Sequence, residues 1–464
     1  MSKTSCLLGT ILLVVAGTHI KMIPVTWAAE PERPNILFVL TDDQRWDTLG
    51  CMGNAIIKTP NVDRLAREGV VFDRAFVTTS ICMTNRACIL TGQYAARHGI
   101  LDFRASLSDA QLARTYPALL KEAGYHVGFI GKWGVGQPPR GLFDYDKAWP
   151  GQNHYFHKRD GKAIHLTQLM GDQAVEFLET APDDRPFCLS ISFKAPHVQD
   201  THPKQFLYDP RYEPLYQEDV IPPAPLSEPG FFDALPEFLK TSENRRRWKM
   251  RFATPEAYQE SVKGYYRLIT GVDHQLGRML QVLRRRRFND NTIVIYTGDN
   301  GFYLGERGFA GKWYPHEVSI RVPLVVHDPR LAADRRGARS EAMALSIDVA
   351  PTILAMAGVD APSSMQGESL APLLEGIKTP WRTEFFYEHL FQHPRIPSTE
   401  AVRDARYKYI RFVDRDPVHE ELYDLQADPY EAHNLAGKSE WNETLCRMRA
   451  KWKALRAKAH APAN

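Results

Sequence analysis

The sequence predicts an α/β fold with a central, mostly parallel sheet, followed by a small C-terminal antiparallel sheet with a terminal helix. Three observations carry this expectation. Four apolar runs, in "NILFVLTDD", "YHVGFIGKWG", "PFCLSISFKAPH" and "NTIVIYTGDNG", lack polar alternation and each stops abruptly at polar residues. Runs of that kind suit strands buried on both faces, as parallel sheets demand. Segments of helical periodicity lie between them, and after "ESLAPLLEG" the texture changes to short alternating stretches.

Taken in order, the chain opens with Lys3, an apolar run "CLLGTILLVVAG", and the small residues Ala28 and Ala29. These are the n-region, h-region and cleavage site of a signal peptide over residues 1–29. The run is short for a membrane-spanning helix, and an uncleaved anchor is the alternative reading. The protein is therefore expected to be exported, periplasmic or extracellular, with no stable membrane span. Cleavage would leave Cys51, Cys82, Cys88, Cys188 and Cys446, an odd set with no disulfide framework and no CxxC pair.

Residues 30–375 form the expected catalytic α/β domain. Its first strand, Ile36 to Leu40, ends at Asp42–Asp43. The stretch "SICMTNRACILTGQY" follows, in which "RACILTGQY" can form a helix and Cys82 would sit just before its N-terminus. Later strands end at Lys132 and His197, with "TQLMGDQAVEFLE" as a helix between them. Residues 198–253, with many Pro, charged and aromatic residues and weak periodicity, read as a long surface excursion. Thr254–Pro255 is a cap and first-turn pair. It opens a long helix in which Val262, Tyr265, Ile269, Val272, Leu276, Met279 and Leu283 recur every three or four residues. The fourth strand, Ile293 to Tyr296, ends at Asp299–Asn300, and "SIDVAPTILAMAGV" is again helical. Residues 376–464 hold the strand-like "EFFYEH", "TEAVRD" and "RYKYIRFV" and a helix at 440–458.

The net charge of +3 is too small to imply a nucleic-acid partner. The runs Arg245–Arg247 and Arg284–Arg287 are read as solvated helix faces. The chemistry is expected at the C-terminal ends of the strands, where open α/β sheets bind ligands. Asp42, Asp43, Asp299 and Asn300 are hard oxygen donors suited to Ca²⁺ or Mg²⁺ rather than zinc. Each acid taken singly could instead cap a helix or turn. Cys82 at a helix N-terminus would meet backbone N–H groups that favour anions and lower a thiol pKa. Arg86 would lie one turn further on.

Cys82–Met83–Thr84–Asn85–Arg86 followed by Leu90–Thr91–Gly92 resembles the signature of the type I, formylglycine-dependent sulfatases. The likeness continues through "NILFVLTDDQRWDTLG", "TPNVDRLAREGVVFDRAF", "GKW", "TGDNGFYLGERG", "GKWYPHEVSIRVPL", "DVAPTILAMAGV" and "ELYDLQADPYEAHNL". It implies an alkaline-phosphatase-like sandwich with a small C-terminal sheet domain. It further implies one Ca²⁺ held by Asp42, Asp43, Asp299, Asn300 and residue 82, with Cys82 converted to 3-oxoalanine (formylglycine) by a maturase. The hydrated aldehyde would attack sulfur, Arg86 would steady it, Lys132 and Lys312 would hold sulfate oxygens, and His197 would act as acid to the leaving alcohol. Two departures stand out. Thr84 and Asn85 replace the family's usual Pro or Ala and Ser, and Gly134 stands where the family has a histidine that helps deprotonate the diol. His98 and His316 are candidates to replace that histidine.

The run "FFYEHLFQHPRIPSTEAVRDARYKYIRF" resembles the branch containing N-acetylglucosamine-6-sulfatases and mucin-desulfating enzymes. That resemblance implies a sulfated glycan, such as an amino sugar of a glycosaminoglycan or mucin, as substrate. His316, Glu388, His389 and Arg403 are the candidates to contact it. Two alternatives remain at this level: a phosphate or phosphonate ester hydrolase of the same superfamily, and a catalytically degenerate glycan-binding protein.

Overall fold

The structure is a computed structural model that describes residues 33–462, so the expected signal peptide lies outside the described residues. Eight strands form the central sheet. They are β1 (Asn35–Asp42), β2 (Val70–Phe76), β3 (His126–Lys132), β4 (Tyr145–Trp149), β5 (Phe187–Pro196), β6 (Thr292–Gly298), β7 (Leu324–His327) and β8 (Ala338–Leu345). Their order is β8-β2-β7-β6-β1-β5-β3-β4. Strand β7 runs antiparallel to both neighbours, and the other pairings are parallel.

The four apolar runs are the four adjacent central strands β6, β1, β5 and β3. Leu37 of β1 pairs with Leu189 of β5 on one side and Val294 of β6 on the other. Side chains alternate between two cores: Ile36, Phe38 and Leu40 enter one, Leu37 and Val39 the other. Burial on both faces explains the missing polar alternation. Each such side chain contributes about 1.5–3 kcal/mol on leaving water.

Helices α1 (Cys82–Thr91), α2 (Leu166–Thr180), α3 (Pro255–Arg285) and α4 (Val349–Met356) overlap the segments read as helical, with α1 starting earlier, at Cys82, and ending at the left-handed Gly92. The Thr254 hydroxyl accepts from Ala257 N at 3.2 Å, which caps α3 as its sequence predicts. All seven periodic apolar residues of α3 enter one core, and the Tyr265 hydroxyl goes further. It donates to the Asp43 carbonyl at 2.6 Å and accepts from Arg45 N at 3.1 Å. A core helix thereby fixes the loop after β1.

Residues 198–253 are more than a surface excursion. Phe206, Leu207, Tyr216 and Ile221 join the core, and the stretch carries short helices such as Glu243–Arg251. Such short helices with isolated anchors leave no periodic signal. The expected solvated face at Arg245–Arg247 holds for the exposed Arg246 and is corrected for its neighbours. Arg245 lies 3.8 Å from the Phe232 ring centre and 4.0 Å from that of Trp248, and Arg247 lies 4.9 Å from that of Trp313. Arg284, Arg285 and Arg287 are exposed as expected.

The C-terminal sheet is antiparallel, in the order β9 (Glu384–His389), β10 (Thr399–Asp404), β11 (Tyr407–Phe412) and β12 (His419–Asp424). One face adds Phe385, Tyr387, Ile410 and Phe412 to the core that holds Phe38. The other packs Val402, Tyr409 and Leu422 on Leu445 and Met448 of α5 (Asn442–His460). The small sheet therefore shares a core with the large one. No helix among the described residues is long and apolar enough to cross a membrane.

Candidate active site

The polar ends of β1, β3, β5 and β6 meet at one edge of the central sheet. Strand β1 delivers Asp42 and Asp43, β3 delivers Lys132, and His197 follows β5. Asp299 and Asn300 follow β6, and the loop beyond contributes Lys312. Ile81 is extended (φ −150°, ψ 129°), so Cys82 is the first residue of α1 and Arg86 sits one turn on. The first N–H groups of a helix have no partner within it, which suits this end to an anion. All nine residues are buried.

Opposite charges interlock here. Lys132 Nζ lies 2.6 Å from Asp42 Oδ2, and Lys312 Nζ contacts Asp43 Oδ1. Arg86 reaches Asp299 Oδ2 at 2.7 Å and Asp42 Oδ2 at 3.4 Å, and it donates to the Lys132 carbonyl at 2.9 Å. His197 Nε2 is 3.5 Å from Asp43 Oδ2, while its Nδ1 is 2.7 Å from the Val198 carbonyl. Burial alone would raise the Asp42 pKa, but the charges of Lys132, His197, Arg86 and Lys312 override it and hold the carboxyl well below its usual range. At Asp299 burial and the Asp42 charge prevail, and its pKa is pushed up to about 6. Burial lowers the His197 pKa despite Asp43 and Asp42 beside it.

Two acceptors remain unmet: Asp42 Oδ1 and Asn300 Oδ1 are buried without a hydrogen-bond partner. Three crowded carboxylates and an amide oxygen form an oxygen donor set that fits a hard divalent cation. Ligand atoms of Asp42, Asp43 and His197 also lie within 4.8 Å of one another. The residues present therefore fit the expected metal.

A model of the family described as Sulfatase matches residues 34–359. The chain belongs to the sulfatase family. It is accordingly a sulfuric ester hydrolase. A second model, N-sulphoglucosamine sulphohydrolase, C-terminal, matches residues 305–458. The chain is 32% identical to an N-acetylglucosamine-6-O-sulfatase of Bacteroides thetaiotaomicron, covering 93% of this chain and 88% of that one. It is 29% identical to an ulvan-active sulfatase of Formosa agariphila, covering 89% and 78%. Among solved structures, a protein in complex with its substrate D-glucosamine-2-N,6-O-disulfate superposes with TM-score 0.80 at 28% identity, covering 92% and 98%. The phosphonate monoester hydrolase of Agrobacterium radiobacter shares the fold with TM-score 0.72 at 24% identity, covering 92% and 96%.

Thr84, Asn85 and Gly134, the positions expected to depart from the sulfatase signature, are all buried. Gly134 has φ +78°, and a Cβ there would lie 2.6 Å from Arg86 Cδ, so no histidine fits without moving the arginine. His98 does not face the cluster: its Nε2 meets the Cys88 thiol at 3.3 Å and its Nδ1 accepts from Ile100 N. His316 is also engaged elsewhere, with Tyr303 Oη at 2.5 Å and Glu421 at 3.4 Å. Asn85 ties α1 to the site, donating to the Asp299 carbonyl at 2.6 Å and accepting from Ser346 Oγ at 2.6 Å.

The candidate sugar contacts separate in the same way. Glu388 accepts from Ala96 N at 2.8 Å and pairs with His460 at 3.1 Å, which leaves it facing away from the strand ends. Arg403 pairs with Glu317 at 3.2 Å and lies over the Phe76 ring. His389 alone of the four has both ring nitrogens free of any partner. Sequence reasoning missed Gln152, which donates to Asp42 Oδ2 at 3.2 Å, and Ser192, which accepts from Arg86. It also missed Lys194, whose pKa burial lowers to about 8 and whose Nζ stands 4.5 Å from the Tyr155 ring centre. The one signal for Lys194 was its place three residues before His197 in "KAPH".

Proposed function

We propose that this sulfatase removes sulfate from a sulfated carbohydrate of the glucosamine type after export from the cytoplasm. Asp42, Asp43, Asp299 and Asn300 would hold Ca²⁺, and a maturase would convert Cys82 to formylglycine. Bound there, the metal and the aldehyde hydrate supply a charge sink for anionic oxygens and a nucleophile for sulfur. Arg86, Lys132 and Lys312 orient the sulfate and stabilise the charge that spreads over its oxygens. In a buried site such fixed cations act with little screening and no reorganisation. His197 stands at the same edge and gives its proton to the leaving sugar oxygen.

The observation that carries the reading is the buried convergence of Cys82, at a helix N-terminus, with three cations and three carboxylates. The relative named for N-acetylglucosamine-6-O-sulfatase activity and the neighbour bound to a glucosamine disulfate support the sugar class. The test is sulfate release, by ion chromatography, from N-acetylglucosamine 6-sulfate by protein whose Cys82 conversion is verified by mass spectrometry. Turnover that exceeds that of matched phosphate and phosphonate esters, and that chelation abolishes, supports the reading. Faster phosphonate hydrolysis would favour the reading suggested by the phosphonate hydrolase fold. Binding without turnover would favour a degenerate glycan-binding protein.

A further inference from the structure

Strand β9 alternates, so Tyr387 and His389 share one face and Glu388 occupies the other. The Tyr387 hydroxyl donates to the Trp313 carbonyl at 2.6 Å and accepts from Ser80 N at 3.2 Å. This face therefore looks onto the loop carrying Lys312 and the segment leading into Cys82. His389 is 1% exposed and neither ring nitrogen has a partner. Thr399 stands directly across in the β9–β10 register, fully buried, with its hydroxyl in hydrogen-bonding reach of the Tyr387 phenol. That contact places it on the same face. Two unmet ring nitrogens on a buried face are uncommon in folded proteins and call for a ligand or ordered water.

We propose that His389 and Thr399 form a neutral polar subsite that binds a hydroxyl or amide group of the sugar ring carrying the sulfate. This rests on the sulfatase reading above and specifies its substrate contact. The chemistry favours that class over a second anion. Burial and the nearby Lys312 charge push the His389 pKa down to about 3, so at neutral pH the ring offers one donor and one acceptor. The threonine hydroxyl likewise both donates and accepts. A sugar hydroxyl or acetamido group matches that pair, whereas a second sulfate offers acceptors alone. The neighbouring charged candidates, Glu388 and Arg403, are already closed by His460 and Glu317.

The experiment compares kcat/KM for N-acetylglucosamine 6-sulfate and for 4-nitrophenyl sulfate, which lacks sugar hydroxyls, in wild type, His389→Ala and Thr399→Val. The sugar-to-aryl ratio should fall at least tenfold in His389→Ala and at least threefold in the near-isosteric Thr399→Val. An unchanged ratio in both overturns the subsite, and Thr399→Val decides alone if His389→Ala fails to fold. If formylglycine-bearing wild type cleaves neither ester, the sulfatase reading itself fails. Calorimetry with N-acetylglucosamine 6-sulfate on Cys82→Ser protein, with and without His389→Ala, then decides the subsite. Tenfold weaker binding with the second substitution supports it; equal affinity or no binding overturns it.

Discussion

Two of the protein's buried charge clusters differ in kind. At the strand ends Asp42, Asp43 and Asp299 face Arg86, Lys132 and Lys312. Against the C-terminal sheet, Lys408 Nζ lies 2.7 Å from both Glu317 and Glu431, and Arg403 adds a contact to Glu317 at 3.2 Å. Both use similar residue types at similar depth. In the second cluster Glu431 also accepts from Glu317 N at 2.8 Å, and none of these carboxylate oxygens is left without a partner. In the first, Asp42 Oδ1 and Asn300 Oδ1 are unmet and Asp299 is pushed toward its neutral form. Depth and opposite charge are common to a strut and to a site; unmet valence marks the site.

The sharpest way to break this comparison is to remove one charge from each cluster. Asp299→Asn should lower sulfate ester hydrolysis at least ~100-fold, the scale for losing a key electrostatic group. In calcium-free buffer at neutral pH its stability should hold or rise. A carboxyl with a folded pKa raised above its unfolded value is a net cost to folding once ionised. Urea denaturation beside a kinetic assay reads both, and a large stability loss would put the two clusters in one class.

Glu317→Gln should do the reverse, costing about 3–5 kcal/mol by breaking a buried pair while the folded fraction retains turnover. It also carries a pH signature. Burial alone would raise the Glu317 pKa, but Arg403 and Lys408 hold it well below its ordinary value of 4.5. The stability it contributes is therefore present above that value and lost as pH falls below it. Melting curves should drop on the acid side in wild type and flatten in the variant.

The smallest effect is expected at Glu388→Gln, which keeps an acceptor for Ala96 N but loses the charge facing His460. About 1–2 kcal/mol, read by thermal melting with turnover retained, is the scale for a bond to a charged group. A large loss of turnover would place Glu388 with His389, its neighbour in sequence.

The contrast also explains what the sequence could and could not reveal. The four central strands were legible because burial on both faces forces unbroken apolar runs, and the α3 stripe because one face of a helix packs. The strand-end acids were legible because a parallel sheet gathers them at one edge. Glu388 and Arg403 could not be told from His389, since all lie in similar alternating strands and only three-dimensional partners separate them. Thr399 gave no signal at all, because nothing local distinguishes a buried hydroxyl on this face from a strand-forming residue. Lys194 and Gln152 stayed hidden because their partners lie across the sheet rather than along the chain.

The span of chain that the site draws together has a kinetic consequence. Asp43 N meets Asp299 across 256 positions, and Lys312 meets Asp43 across 269. Contacts of such separation close late, because a long loop must be ordered before any energy is returned. Until β6 docks beside β1, Asp43 N lacks its Asp299 acceptor, and Asn85 of α1 lacks the Asp299 carbonyl that it binds. Cys82 is 4% exposed once that docking is complete, out of reach of any macromolecular catalyst. Any enzyme that modifies this thiol would therefore have to reach it before β6 docks, during the long return of the chain from β1 to β6.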